Sequence, residues 1–500
     1  MQYETIIGLE IHVQLKTKSK MFCSCPNVFD IDKPNTYICP ICTGHPGVLP
    51  TVNEQAVNYA IKAALALNLQ VNLFSKFDRK SYFYPDLPKG YQISQYDKPL
   101  AENGYLEILL PEGEKKFGIE RLHLEEDAAK NFHQDGYVLV DFNRAGTPLI
   151  EIVTQPDFRS PAEAKAFLQE LRLIMRYLGV SDADMEKGQL RCDANISLRP
   201  EGDTGFYPKT EIKNLNSFKS VERALAFEVK RQTELWEKGD APDYQTTRGW
   251  DENRGVTVEQ RGKEEASDYR YFPEPDIPPL QLTEEQVNKI KEEIPELPND
   301  KRKRFIAHYG FKLPDANILV NNTKLARYAE KVISEFVAWL EASPYVEGTS
   351  QEIWDKYKEK IAKLASSWLL NNLVKLLNES GEEIDNIKIT PEDMAEFLTF
   401  VFEKKLNSSA AQLVLSEMFK SGKDPHVILE EQDLEPASTE QLERWVEEVI
   451  AENPQQVEQF KGGKEPVIKF LIGMVMKKAK GKANAKEAED LLRDKLSAGD

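Results

Sequence analysis

Five hundred residues exceed one ordinary domain, so roughly two to four are expected. Apolar residues make up 41% of the chain, enough for real cores, and the formal charge is −18. That acidity excludes a generic nucleic-acid coat but leaves room for a local basic patch. No apolar run reaches the length of about 18 residues that a transmembrane helix needs. MQYETIIGLE has no basic segment followed by an apolar one, so no signal peptide is read. A cytoplasmic enzyme is the expected class.

The first element is TIIGLEIHVQL, a period-two strand. Ile7, Leu9, Ile11 and Val13 form its apolar face, and Glu10, His12 and Gln14 lie opposite. A carboxylate and an imidazole side by side are unusual on a surface strand. Next comes FCSCPNVF and, thirteen residues after Cys25, YICPICTGHPG. Clustered cysteines in a large chain without a secretion signal suggest metal rather than disulfides. Cys23, Cys25, Cys39 and Cys42 can close a tetrahedral zinc site with sulfurs about 2.3 Å from the ion. Four thiolates leave no open position, so the expected role is structural. His45 is expected to make a loop hydrogen bond rather than a fifth ligand. Cys192 stands alone on an apolar strand face.

NEQAVNYAIKAALALN reads as a helix capped by Asn53. The loop FDRKSYFYPDLPKGYQISQYDKPL interleaves Tyr82, Phe83, Tyr84, Tyr91 and Tyr96 with Arg and Lys. Such a loop can stack a base and hold a phosphate, or simply be a proline-pinned scaffold. The strands YLEILL, KFGIERLHLEE, YVLVDFNRAG, PLIEIVT, QLRCDANISLRP and YPKTEIKNLNS follow, interrupted by helices that start at Ser160 and near Ser220. The fold class is therefore α+β, with a mixed or antiparallel sheet over the first part. Pro273, Pro275, Pro278 and Pro279 then break the pattern. From TEEQVNKIKEEI onward the chain reads as nearly all helix, with a clear helix pattern in TKLARYAEKVISEFVAWLEA and in IWDKYKEKIAKLASSWLLNNLVKLLNES. A second composition shift lies at EEQDLEPAST. These breaks divide the chain into 1–293, 294–433 and 434–500.

Several strands place acids and bases opposite an apolar stripe. Arg121, His123 and Glu125 share one face, Arg191, Asp193 and Asn195 another, and Lys209, Glu211 and Lys213 a third. If these strands pair in one sheet, Glu10, His12, Glu125, Asp193 and Glu211 converge and can hold a divalent ion. A solvated sheet face with dispersed charges is the alternative. Magnesium prefers oxygen and imidazole suits transition metals, so His12 is either a direct ligand or a neighbour of the carboxylates. No phosphate-binding glycine loop of the G-x-x-x-x-G-K-[ST] or G-x-G-x-x-G type is present.

The stretches GLEIHVQL, CPICTGHPGVLPTVN, DRKSYFYPDLPKGYQIS, LEEDAAK, VDFNRAGTPLIEIV and EIKNLNSF closely resemble the GatB family, one component of the GatCAB tRNA-dependent amidotransferases. The resemblance runs over nearly the whole chain. The archaeal GatE relatives carry a large insertion for which 500 residues leave no room. The resemblance implies a cradle domain, a helical domain and a small tail similar to YqeY. It also implies ATP- and Mg²⁺-dependent phosphorylation of the side-chain carboxylate on misacylated Glu-tRNA(Gln) or Asp-tRNA(Asn), followed by displacement of phosphate by ammonia. By match to the family's motifs, Glu10, His12 and Glu125 are the first candidates for the metal and catalytic site. Asp193 and Glu211 come second. Lys80 and Lys89 are candidates for phosphate contact or for the path that delivers ammonia. The implied partners are the amidase and the small clamp protein of the GatCAB heterotrimer, together with the tRNA, with no membrane.

Between Lys461 and Lys486 the tail holds eight lysines against one acid. Lys477, Lys478, Lys480 and Lys482 are the expected tRNA contacts, against the alternative of a solvated lysine face. Met474 stands where the family pattern often has Gln. A rival class is a zinc-stapled adaptor that only presents tRNA to an amidase; such an adaptor would not need Glu10 and Glu125 together.

Overall fold

A computed structural model describes residues 2–28, 33–261, 268–431, 438–479, 482–483 and 485–497. The chain divides into two compact units, 1–300 and 301–500. The composition shift near 430–439 lies largely outside the described residues, as does the boundary between 433 and 434.

The first unit is built on a nine-stranded sheet. Its order is Val256–Arg261, Thr246–Asp251, Thr210–Leu215, Leu190–Pro200, Tyr3–Gln14, Pro148–Thr154, Gly113–Glu126, Ala101–Leu110 and Gln70–Val71. The pair between Thr210–Leu215 and Thr246–Asp251 is parallel, and the others are antiparallel. The opening strand thus occupies the middle of the sheet. Its alternation explains why: Ile7, Ile11 and Val13 are fully buried and Leu9 is nearly so. Three helices cover that apolar face, Glu54–Ala66, Pro161–Tyr177 and Phe218–Lys238, and share one core with it. Their starts follow the sequence signals. Asn53 accepts from the Ala56 N–H, and Ser160 from the Glu163 N–H with Pro161 in the first turn. Gly239 ends the third helix in the left-handed conformation, φ 81°. The proline-rich stretch contributes two short strands, Phe272–Pro273 and Leu280–Gln281. The first lies at the edge of its small sheet, where a missing N–H is tolerated.

The second unit is helical. The helix expected across 353–380 is not continuous α-helix. Ser366–Leu373 is a π-helix between Ser350–Ala365 and Val374–Ser380. The wider turn buries Trp368, Leu369, Leu370 and Leu373 together and sets Trp368 edge-on to Phe397 at 5.0 Å. The last helices, from Thr439–Glu452 to Ala485–Ser497, share a separate apolar core around Val446, Val449, Leu471, Val475 and Leu492.

Candidate active site and metal centre

The polar face of the opening strand is the floor of a side-chain cluster. Strand register decides its membership. His12 pairs across one side with Arg191 and across the other with Glu151, and Glu151 pairs in turn with His123. One row across four strands therefore reads Arg191, His12, Glu151, His123. Glu10 and Glu125 lie one pleat repeat away, on the strands of His12 and His123.

His12 Nε2 stands 3.4 Å from Glu151 Oε2, 3.5 Å from Glu125 Oε1 and 4.0 Å from Glu10 Oε1. His123 Nε2 is 3.3 Å from Glu151 Oε2 and 3.8 Å from Glu125 Oε2. The Ser94 hydroxyl donates to Glu125 at 3.4 Å. The Glu125 and Glu151 side chains are 3% and 7% exposed, against 36% for Glu10, so the cluster is closed below and open at the Glu10 side.

Charge is shared unevenly over these groups. Burial opposes the charge on His12, but Glu151 and Glu125 outweigh it and raise its pKa. Burial is likewise overcome at His123, which Glu151 and Glu125 push up to about 9. Glu151 is held well below the carboxylate range against its burial, because both imidazoles face it. Glu10 is raised, first by burial and then by Glu151. Lys80 sits 4.7 Å above the Tyr269 ring, and its proton is held tightly against burial by Glu125 and the groups around it.

Two overlapping triads have donor atoms within 4.8 Å of one another: Glu10, His12 and Glu151, and His123, Glu125 and Glu151. Buried acids crowded this closely repel one another unless a cation or proton lies between them. The Nδ1 of His123 is also buried without a hydrogen-bond partner. The donor set fits a divalent cation, and its mixed oxygen and imidazole chemistry suits Mg²⁺ or a first-row transition ion.

Sequence reasoning missed Glu151 and the part played by His123. The signal for Glu151 was present: a single acid inside the otherwise apolar PLIEIVT. The structure brings Glu10, His12 and Glu125 together. Asp193 pairs in register with Glu10, but its carboxylate accepts from Lys213 Nζ at 2.7 Å, and Glu211 lies 3.1 Å from the same ammonium. Neither belongs to the two triads among the described residues, because Lys213 neutralises both. Lys89 is ion-paired with Glu126, whose carboxylate also accepts from the Ile93 N–H, and lies 5.5 Å from the Tyr91 ring. Asp127 organises the next layer. It accepts from Gln14 at 2.9 Å and from Arg191 at 3.0 Å, and its pKa is lowered against burial by Arg191 and Arg144. In the aromatic loop, Tyr82 stacks on Tyr84 at 5.3 Å and Tyr96 on Tyr271 at 4.4 Å. Phe83, Tyr84 and Tyr96 remain well exposed.

The four clustered cysteines place their sulfurs within 4.8 Å of one another. A tetrahedral ion with bonds of about 2.3 Å needs sulfurs about 3.8 Å apart, so the set fits zinc after a small contraction. Gly44 and Gly47 turn the second knuckle with φ of 68° and 82°. His45 is not in this group; its backbone N–H donates to Pro40 O. Without an ion, the Cys42 thiol is lowered to about 5, first by the Cys23 thiol that donates to it and then, against its burial, by the Cys39 N–H and the nearby Lys20.

In the tail, Lys478 is held by Glu448 at 2.8 Å and Glu452 at 2.7 Å. Its charge is compensated locally by these two glutamates. Lys477 is exposed, Lys482 is half-buried, and Lys480 lies outside the described residues.

Residues 5–288 match the family model described as the GatB/GatE catalytic domain, and 351–496 match the one described as the GatB domain. The chain belongs to the GatB family. Among GatB relatives it is 48% identical to the B subunit of the aspartyl/glutamyl-tRNA(Asn/Gln) amidotransferase of Carboxydothermus hydrogenoformans, with 99% of each chain covered. The protein of the same name from Caldicellulosiruptor saccharolyticus is also 48% identical over 99% of each chain. That from Persephonella marina is 46% identical over 99% of this chain and all of its own. The α+β reading therefore stands, with the catalytic-domain match over the sheet and the second match over helices. No described helix is long and apolar enough to cross a membrane.

Proposed function

We infer that this chain works as the GatB component of an ATP-dependent tRNA amidotransferase. The reaction converts the side-chain carboxylate of Glu-tRNA(Gln) or Asp-tRNA(Asn) to an amide. A carboxylate is a poor acceptor for ammonia because the leaving group would be oxide. Transfer of the γ-phosphoryl group of ATP to a carboxylate oxygen gives an acyl phosphate and ADP. Ammonia then forms the C–N bond and inorganic phosphate leaves.

Glu10, His12 and Glu125, with Glu151 and His123, would hold a divalent cation, which when bound neutralises charge on the transferring phosphoryl group. Asp193 and Glu211 would form an outer acidic pair around Lys213. Lys80 and Lys89 would contact phosphate oxygens or line the route of ammonia. The ammonia comes from a glutaminase on another chain, the amidase of the heterotrimer, held in place by its small clamp protein. The zinc knuckle would pin the long loop beside the opening strand. Residues 1–293 act as the catalytic cradle, 294–433 as a helical connector, and 434–500 as a tail that contacts tRNA through Lys477, Lys480 and Lys482.

The observation that carries this reading is the pair of triads sharing Glu151, on a chain whose full-length relatives are named for this activity. The test is ATP cleavage by the assembled complex with misacylated tRNA and Mg²⁺. Glu125→Gln is expected to abolish it while glutamine hydrolysis by the partner continues. An unchanged cleavage rate in that variant would refute the assignment.

A further inference from the structure

Lys20 is completely buried. A buried ammonium is rare, and it persists only where a counter-charge and full hydrogen bonding compensate for lost water. Lys20 has three donors, and three partners meet them: Tyr37 O at 2.9 Å, Phe142 O at 3.2 Å and Cys42 Sγ at 3.7 Å. The first two are neutral carbonyls. Among the described residues no carboxylate pairs with this lysine. The one partner able to carry negative charge is the sulfur of the cysteine cluster.

We propose that Lys20 is the built-in counter-charge of an anionic four-thiolate metal centre, positioning Cys42 by an N–H···S hydrogen bond. Four thiolates around a divalent ion leave two negative charges in excess. The ammonium of Lys20 offsets one of them inside the protein. The same nitrogen ties three segments together. Tyr37 belongs to the loop between the two cysteine pairs, and Phe142 precedes the strand that carries Glu151. Backbone bonds continue the connection: Lys20 N–H to Cys25 O, Met21 N–H to Gly146 O, and Gly146 N–H to Asp127 O. Asp127 in turn holds Gln14 of the opening strand and Arg191. Lys20 therefore links the metal knuckle to the layer that supports the candidate active site. Partners of this kind around metal ligands alter affinity by about 10- to 100-fold.

The inference rests on the cysteine cluster holding a metal, and the experiment separates the two. Metal content of the purified full chain is measured first by emission spectrometry; one zinc per chain is expected. Zinc release to a chelator is then compared with that of Lys20→Met, which should be at least about tenfold faster. In cobalt(II)-substituted protein the thiolate-to-metal charge-transfer band should shift to lower energy in Lys20→Met, because the Cys42 sulfur keeps the Cys39 N–H but loses its charged donor. Thermal melting closes a cycle: Lys20→Met should destabilise the metal-loaded chain more than the stripped chain, in which only the two carbonyls and one thiol lose their partner. Should Lys20→Met fail to fold, the wild-type chain still answers. Amine acylation mapped by mass spectrometry should spare Lys20 with zinc bound and modify it after chelation. Zinc bound but equal destabilisation with and without metal, an unmoved cobalt band, or protection of Lys20 after chelation would each overturn the role of Lys20 alone. A wild-type chain that takes up no metal would overturn the metal reading and this inference with it.

Discussion

Glu151 is the residue on which the candidate site turns, since both triads share it. Glu151→Gln should lower tRNA-dependent ATP cleavage by the complex by about 10²-fold, the equivalent of a few kcal/mol of charge stabilisation. Gln keeps the shape, so the melting temperature should fall far less than the rate. His123 gives a pH test of the chain with divalent ions chelated. Its pKa rises on folding from about 6.5 to about 9. The protonated form therefore stabilises the fold fully below pH 6.5, and this contribution, of the order of a few kcal/mol, is lost as pH rises through about 9. Urea midpoints should drop over that window, and His123→Gln should flatten the drop; a wild-type midpoint level from pH 6.5 to 9.5 would contradict it. Glu10, His12 and Glu125 were legible because period-two alternation exposes any polar residue opposite an apolar stripe. Glu151 was not, because PLIEIVT reads as a buried strand. What turns its one acid into a site member is the strand lying on each side of it, and that neighbour relation is non-local.

At the scale of elements, the opening strand does two jobs. Its odd positions seal the core and its even positions carry Glu10, His12 and Gln14. Ile11→Ala removes a fully buried side chain beneath the site and should cost about 2–5 kcal/mol in urea unfolding. A cost near zero would mean that the strand is not central. The helix starts at Asn53 and Ser160 were readable because a cap is a contact over three residues. The π-turn at Ser366–Leu373 was not, since the α and π patterns share the same apolar residues and only packing against Phe397 separates them. The cysteine knuckles were readable from spacing alone, whereas Lys20 beside them looked like any surface lysine.

For the whole molecule, the charge distribution matters more than its sum. A chain of net charge −18 carries a lysine-rich stretch between Lys461 and Lys486, and Lys478 there is neutralised by two glutamates. Removing residues from about 434 onward should weaken tRNA binding and leave glutaminase activity of the complex intact. Equal affinity in a filter-binding titration would refute this. Lys477→Ala should lower the salt dependence of binding by about one counterion, and Lys478→Ala by less. The α+β division was legible because the proline-rich stretch ends the strands and starts the helices. The order of strands in the sheet was not, since no local pattern records which distant segments pair.

That strand order sets a timetable for synthesis. The central strand, Tyr3–Gln14, leaves the ribosome well before both of its neighbours, Pro148–Thr154 and Leu190–Pro200. At about 5–20 residues per second, the second neighbour emerges on the order of ten seconds or more after the first strand. Through that delay a nascent chain exposes Ile7, Leu9, Ile11 and Val13 with both edges unpaired, a template for wrong pairing. Slower translation across 150–200 lengthens the exposure, so yield of soluble protein should depend on codon choice there and on chaperones that hold the N-terminal segment.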